Sequence, residues 1–258
     1  MTQWLRITRL ALHIVRGLVI AGFFFPFLDR AGRNREINRW ARHVLEIAAV
    51  RLHVHGAVDA SRPLMLVANH VSWLDIFAIQ SVLPVRFVAK SETRSWPFVG
   101  LLSERSGTLF IHQARLRDTH RINALVARAM QDGDVFAFFP EGKTTDGSRL
   151  LKFHASLLAP ALEVGAVLQP VAIRYEREDG TLCTEAAFDG ERTLMQTVFG
   201  ITAQRSIDVH LWFAAPLDPT GRHRRELAEE ARAVILRTLS PAPSSPSGTD
   251  ADPRASAH

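Results

Sequence analysis

With 258 residues, 47% of them hydrophobic, the chain can bury a sizeable core as one large α/β domain or two small ones, which excludes disorder of the whole chain. Its single cysteine, Cys183, excludes an intrachain disulfide and a multi-cysteine metal site and suits a reducing compartment. The net charge of +5 comes from 28 Arg against 3 Lys, which calls for a phosphate-rich partner, either a nucleic acid or an anionic membrane.

The first element in chain order favours the membrane. Nine arginines, at 6, 9, 16, 30, 33, 35, 39, 42 and 51, stand beside three acids in residues 1–55, which also hold the most apolar run of the chain. Nucleic-acid binding would instead call for interleaved polar readers, so no nucleic-acid partner is expected. Within that run, "LALHIVRGLVIAGFFFPFL" (residues 10–28) is interrupted by His13 and Arg16 and has Pro26 near its end. Its uninterrupted part, residues 17–25, falls short of the ~20 apolar residues of a full span, so a shallow or re-entrant insertion is expected over a clean transmembrane helix. No small-residue cleavage site follows to mark a signal peptide.

Next, "NREINRWARHVLEIAAVRL" sets Ile37, Trp40, Ala41, Val44, Leu45, Ala48 and Leu52 at helical spacing, with Arg35, Arg39 and Arg42 mostly on other faces. An interfacial helix has this pattern, and so has a helix packed on the protein's own core. Residues 1–50 are therefore expected to form a membrane-associating helical segment.

From residue 51 strands and helices alternate. The strand candidates are "RLHVH", "PLMLVA", "VRFVA", "GTLFI", "DVFAFF", "AVLQPVAIRY" and "SIDVHLWF". Pro170 within "AVLQPVAIRY" places that strand at an edge or at a bulge. Helices are expected over "WLDIFAIQSVL", over "RINALVARAM" with Ile122, Leu125, Val126 and Ala129 on one face, and over residues 222–239 with Leu227, Ala231, Val234 and Ile235. "DGTLCTEAA" reads as an exposed polar turn, which makes Cys183 a poor nucleophile. One α/β domain over residues 51–239 follows, with a disordered tail over 240–258, where "SPAPSSPSGTDADPRASAH" has no apolar run.

Two residues in "VANHVSWLDIFAIQ" have the types and spacing of a general-base pair. His70 falls where a strand ends, and Asp75 falls in the first turn of the following helix, where Ser72 to Asp75 also fit a capping box. Both roles are compatible, because a carboxylate there can reach the upstream imidazole, fix its tautomer and stabilise the imidazolium. In "VFAFFPEGKTTDG" a buried strand is broken at Pro140-Glu141-Gly142, with Lys143 at the mouth and Arg149 and Lys152 beyond; a plain strand-to-helix turn is the alternative.

The order of these stretches carries a resemblance. Asn69, His70, Ser72 and Asp75, then residues 107–111, then residues 139–142, then Val167, Pro170, Val171 and Ile173 resemble the four motifs of the glycerolipid acyltransferases, the 1-acylglycerol-3-phosphate acyltransferase family. "FVAK" at 87–90 and "WPFVG" at 96–100 also look like that family, so that the likeness spans about residues 50–220. Two positions depart from it: Gln113 stands where the second motif commonly has an arginine, with Arg115 two positions later, and Lys143 stands where a small residue usually follows.

The resemblance implies a mixed sheet flanked by helices and an acyl transfer with His70 as general base and Asp75 orienting it. Glu141 and Gly142 would help bind the acceptor, while Lys143 and Arg115 would hold its anionic head group. It calls for no metal and no cofactor beyond the donor substrate, an acyl thioester on coenzyme A or on acyl carrier protein. The acceptor expected is a lysophospholipid, 1-acyl-sn-glycerol-3-phosphate first and another lysolipid such as lyso-ornithine lipid as the alternative. The expected place is the cytoplasmic face of the inner membrane, against anionic lipids. A lipase or thioesterase is disfavoured by the lack of a G-x-S-x-G elbow. A non-catalytic membrane-binding protein with the same fold is the remaining rival.

Overall fold

The computed structural model describes residues 2–58, 60, 62–96, 98–111, 116–190 and 192–240, of which 116–120 are described by their backbone alone. Each of the seven expected strands forms: β1 (Val50–His55), β2 (Leu64–Ala68), β3 (Arg86–Lys90), β4 (Leu109–Ile111), β5 (Phe136–Phe138), β6 (Val167–Glu176) and β7 (Ile207–Phe213). They make one mixed sheet in the order β1-β7-β6-β2-β5-β3-β4, parallel at every pairing except β6 with β7.

Helices cover both faces. On one side lie α2 (Arg30–Ala48) and α3 (Leu74–Val82), meeting Leu64, Leu66 and Ala68 of β2. On the other lie α6 (Leu116–Gln131), α7 (Ala159–Val164) and α9 (Arg224–Leu239), meeting Met65 and Val67. A strand buried on both faces reads as a continuous apolar run, which is why β2 is "LMLVA". Short helices α4 (Ser91–Arg94) and α5 (Val99–Arg105) link β3 to β4, and α8 (Leu194–Ala203) precedes β7.

Two expectations are corrected here, on α6 and at Cys183, and two open alternatives are decided. Of the two settings expected for Pro170, edge or bulge, the structure shows the bulge: β6 lies inside the sheet, and the missing N–H is tolerated because the β7 side is irregular at that point. Between the Val171–Phe213 pair and the Leu168–Leu217 bridge, three steps along β6 face four along its partner, and the Pro170 carbonyl accepts from Ala214 N. On α6 the buried face is Ile122, Val126 and Met130, whereas Leu125 is 43% exposed. Cys183 is buried, not in an exposed turn, because its segment folds back along Tyr175 through Cys183 N to Tyr175 O. Burial pushes its thiol up to about 11, so it is a poor nucleophile for a different reason. Finally, the apolar face of α2 meets the protein's own core: Ala41, Val44, Leu45, Ile47 and Ala48 are buried.

The N-terminal apolar run continues α1 (Gln3–Val19) through a π-helical turn, Ile20–Phe24, and a 3-10 turn, Phe25–Phe27. Together, residues 3–27 are long and apolar enough to cross a membrane. One face of this rod is buried at Arg6, Leu10, His13, Gly17, Ala21 and Phe25. Arg6 donates to the carbonyls of Thr202, Gln204 and Arg205 at the end of α8. His13 stacks on Trp40 of α2 at 4.9 Å, and Trp40 Nε1 donates to His13 O. The other face is exposed and apolar, from Trp4, Leu5, Leu12, Val15 and Val19 to Phe23, Phe24 and Phe27. The expected tail lies, from residue 241 on, outside the described residues.

Candidate active site

Sheet register builds this site. β2 runs parallel to β5 with Val67 beside Phe138, so the third residue past each, His70 and Glu141, emerge side by side at the carboxyl edge of the sheet. There the His70 N–H donates to Glu141 Oε1 at 2.9 Å. β2 also runs parallel to β6, and beyond Ala68–Val171 the side chain of Asn69 extends the ladder. Its Nδ2 donates to Ile173 O at 2.9 Å and its Oδ1 accepts from Ile173 N at 2.7 Å. Asn69 thus does by side chain what the next strand residue would do by backbone, and it frees the chain to turn at His70.

Asp75 closes that turn. Its Oδ2 accepts from His70 Nδ1 at 2.7 Å, Val71 N at 2.8 Å and Ser72 N at 3.0 Å, while Ser72 Oγ accepts from Leu74 N at 3.3 Å. The capping role and the dyad role are carried by the same carboxylate. Its other oxygen, Oδ1, accepts from the Tyr175 hydroxyl at 2.7 Å. Asp75 is fully buried, and four donors with no acceptor suit the anion. Tyr175, the single tyrosine of the chain, is a site residue that sequence reading missed. Burial first, and then the neighbouring Asp75 charge, hold its phenol well above the usual range, so it stays a donor.

With Nδ1 donating to Asp75, the imidazole presents its Nε2 lone pair, which has no partner among the described residues. The ring lies flat on Phe139 at 3.9 Å, and its side chain remains 20% exposed. Its main chain is gripped on both sides by the 139–145 loop, since Thr145 N donates to His70 O at 2.9 Å. An oriented, partly open imidazole backed by a buried carboxylate can take a proton from a hydroxyl and return it to a leaving group.

The other expected site residues divide. Both oxygens of Glu141 are taken by main-chain donors, His70 N and Leu151 N, the latter at 2.7 Å. This carboxyl therefore shapes the loop. Burial raises it above the ordinary carboxylate range against the pull of those two bonds. Gly142 adopts φ +73, a left-handed turn that favours glycine, and the His154 ring packs against it. Lys143 is exposed at the same loop. β4 ends at this edge of the sheet, but Gln113 and Arg115 lie outside the described residues. Among the described residues no group of three or more His, Cys, Asp or Glu side chains is placed to hold a metal ion.

Comparison with known proteins fits this geometry. Residues 50–174 match the sequence profile of the Acyltransferase family. The chain is 36% identical over 241 residues to the lyso-ornithine lipid O-acyltransferase of Pseudomonas aeruginosa, covering 91% of this chain and 92% of that one. The chain belongs to the glycerolipid acyltransferases. A second member, the 1-acyl-sn-glycerol-3-phosphate acyltransferase of Neisseria meningitidis, is 34% identical over 79% of this chain and 82% of its own length. The fold of this acyltransferase is shared with the crystal structure of the 1-acyl-sn-glycerophosphate acyltransferase PlsC from Thermotoga maritima, with a TM-score of 0.61 at 21% identity. That match covers 91% of this chain and 96% of the other.

Proposed function

We propose that this acyltransferase moves a fatty acyl group from a thioester, on coenzyme A or acyl carrier protein, to the free hydroxyl of a membrane lysolipid. His70 Nε2 takes the hydroxyl proton as the oxygen attacks the thioester carbonyl; the tetrahedral intermediate then expels the thiolate, which receives the proton back. Asp75 keeps the tautomer and balances the transient imidazolium. The observation that carries this reading is the 2.7 Å bond from His70 to a buried carboxylate, with Nε2 left open.

Lyso-ornithine lipid is the acceptor best supported. The relative of that name from Rhizobium meliloti is 34% identical over 93% of this chain, as extensive a match as the Pseudomonas one, whereas the Neisseria relative named for 1-acylglycerol-3-phosphate matches over 79%. Gln113 also withholds the cation that a phosphate monoester needs in the second motif. The second reading, 1-acylglycerol-3-phosphate, has the Neisseria relative in its favour and would require Lys143 or Arg115 to meet the phosphate.

The apolar face of α1 would lie in the cytoplasmic leaflet, parallel to the surface. A helix tied to α8 at Arg6 and to α2 at His13 cannot cross the bilayer without drawing those elements in. Arginines beside the run fit the negative inner surface.

The deciding measurement is kcat/KM with one labelled thioester on both lysolipids, for wild type, Gln113→Arg and Lys143→Ala. Turnover of lyso-ornithine lipid alone is expected, with Gln113→Arg giving no gain on it. Turnover confined to 1-acylglycerol-3-phosphate, lost at Lys143→Ala and improved by Gln113→Arg, would reverse the acceptor assignment and keep acyl transfer.

A further inference from the structure

An open groove of about 430 Å³ lies between α2 and the end of α3, lined by Asn34, Arg35, Asn38, Arg39, Arg42 and Pro84. Two of its walls are fixed by bonds to the end of α3, and one of them, Arg42, keeps donors over. Asn38 Nδ2 is held by the carbonyls of Gln80 and Ser81 at the end of α3, at 3.0 and 2.8 Å. Arg42 Nε donates to Ser81 O at 3.0 Å, so that its terminal nitrogens remain available. Arg35 has no partner among the described residues, and the acid nearest the groove in sequence, Glu36, is taken by Arg39 at 2.8 Å. Three guanidinium groups against one carboxylate leave a surplus of positive charge in a recess with planar donors. This is the complement of a phosphate oxygen pair, which arginine meets bidentately.

Position selects the source of that phosphate. The helix begins at Arg30, directly after Phe23, Phe24 and Phe27, whose side chains are 71, 57 and 87% exposed. At about 1.5 Å per residue, Arg35 lies roughly 9 Å along the helix from Asp29 and Arg42 about 20 Å. Three exposed aromatic rings just before α2, with a basic groove that begins about 9 Å along the same helix, set apolar and phosphate-binding groups side by side, as the surface of a leaflet does.

We infer that this groove binds the phosphodiester of an anionic membrane lipid, at a site that shares no residue with the one proposed for acyl transfer. The lipid is one whose head group adds no positive charge, since an ammonium there would meet Arg35 and Arg39. The inference rests on the membrane attachment proposed above, but it adds a recess that discriminates geometry and not charge alone.

The test is co-sedimentation of the full chain with phosphatidylcholine vesicles, with and without phosphatidylglycerol. It compares wild type, Arg35→Lys, and Arg237→Lys at an exposed position of α9 as the control. Arg35 has no bond to lose, so the fold is not at stake. Lysine preserves the charge and removes the planar fork, so a diffuse electrostatic attraction would not register the change. Affinity for the phosphatidylglycerol vesicles is expected to fall at least about tenfold in Arg35→Lys. Arg237→Lys, and binding to phosphatidylcholine alone, should be unaffected. Equal binding by Arg35→Lys and wild type would overturn the site, as would an equal loss on both kinds of vesicle. Displacement by millimolar inorganic phosphate would assign the recess to free phosphate. His70→Ala, run in parallel, should bind like wild type while losing turnover, so that a failure of the catalytic reading is told apart from a failure of this one.

Discussion

At the scale of single residues, the proposed mechanism rests on one nitrogen left without a partner, His70 Nε2, while Asp75 behind it is buried. His70→Ala should lower turnover by at least ~10²–10⁴-fold, while thermal unfolding stays cooperative, because Asp75 keeps its other three donors. Asp75→Asn should be milder: the amide oxygen can still accept from His70, Val71 and Ser72, while the charge that favours imidazolium and the acceptor of the Tyr175 hydroxyl are gone. Tyr175→Phe removes one donor to a buried anion, worth about 1.5–3 kcal/mol. The expected result is a kcat reduced about tenfold with KM for both substrates unchanged; a change in KM alone would show that Tyr175 acts on substrate binding and not through Asp75. The contact of His70 with Asp75 was legible in the sequence because it is local, five residues apart, within the first of the four family-like motifs. Tyr175 was not, because it reaches Asp75 across 100 residues of chain and only the β2–β6 register brings the two together.

At the scale of elements, the strands could be read and the partners of the helices could not. β2, β5 and β6 are apolar on both faces because helices cover both faces, and that leaves a continuous signature in the sequence. The apolar stripe of α2 has the same appearance whether it meets lipid or Val44's neighbours in the core, so periodicity alone leaves its partner open. The 139–145 loop shows how tightly an element can serve a neighbour. Glu141→Ala would strand two half-buried N–H groups, of His70 and Leu151, at up to about 1–3 kcal/mol each. Both melting temperature and kcat should drop, and Glu141→Gln, which keeps one acceptor, should recover part of each. Arg6→Ala should release the start of α1 from α8, seen as faster amide exchange in residues 3–10 with little change at β2.

At the scale of the whole molecule, membrane attachment and folding can be separated only at the right boundary. Deleting residues 2–27 should weaken flotation with anionic vesicles and leave a folded domain, whereas a cut reaching residue 55 would remove α2 and β1 from the core. A shortened domain that floats as well as the full chain would place the anchor elsewhere. Stability has an alkaline limit that one group reports. Cys183 is neutral in the fold up to about pH 11 against 9.0 as its ordinary value, so the folded state holds that proton more tightly. Stability should therefore fall as pH rises from 9.0 to about 11, by about 2–3 kcal/mol from this thiol, measurable by urea titration across that range. The same thiol should resist alkylating reagents until the chain unfolds. Finally, with α1 in the leaflet as proposed, its fastening to α8 and α2 would make it a gauge of depth. A flexible tether would let the catalytic base sample many heights above the bilayer; a helix bolted on at Arg6 and His13 would hold Nε2 at one. Hydroxyl groups at that level would then be acylated, while chemically equal ones buried deeper or raised higher would stay out of reach, so that selectivity would begin with altitude before any head group is touched.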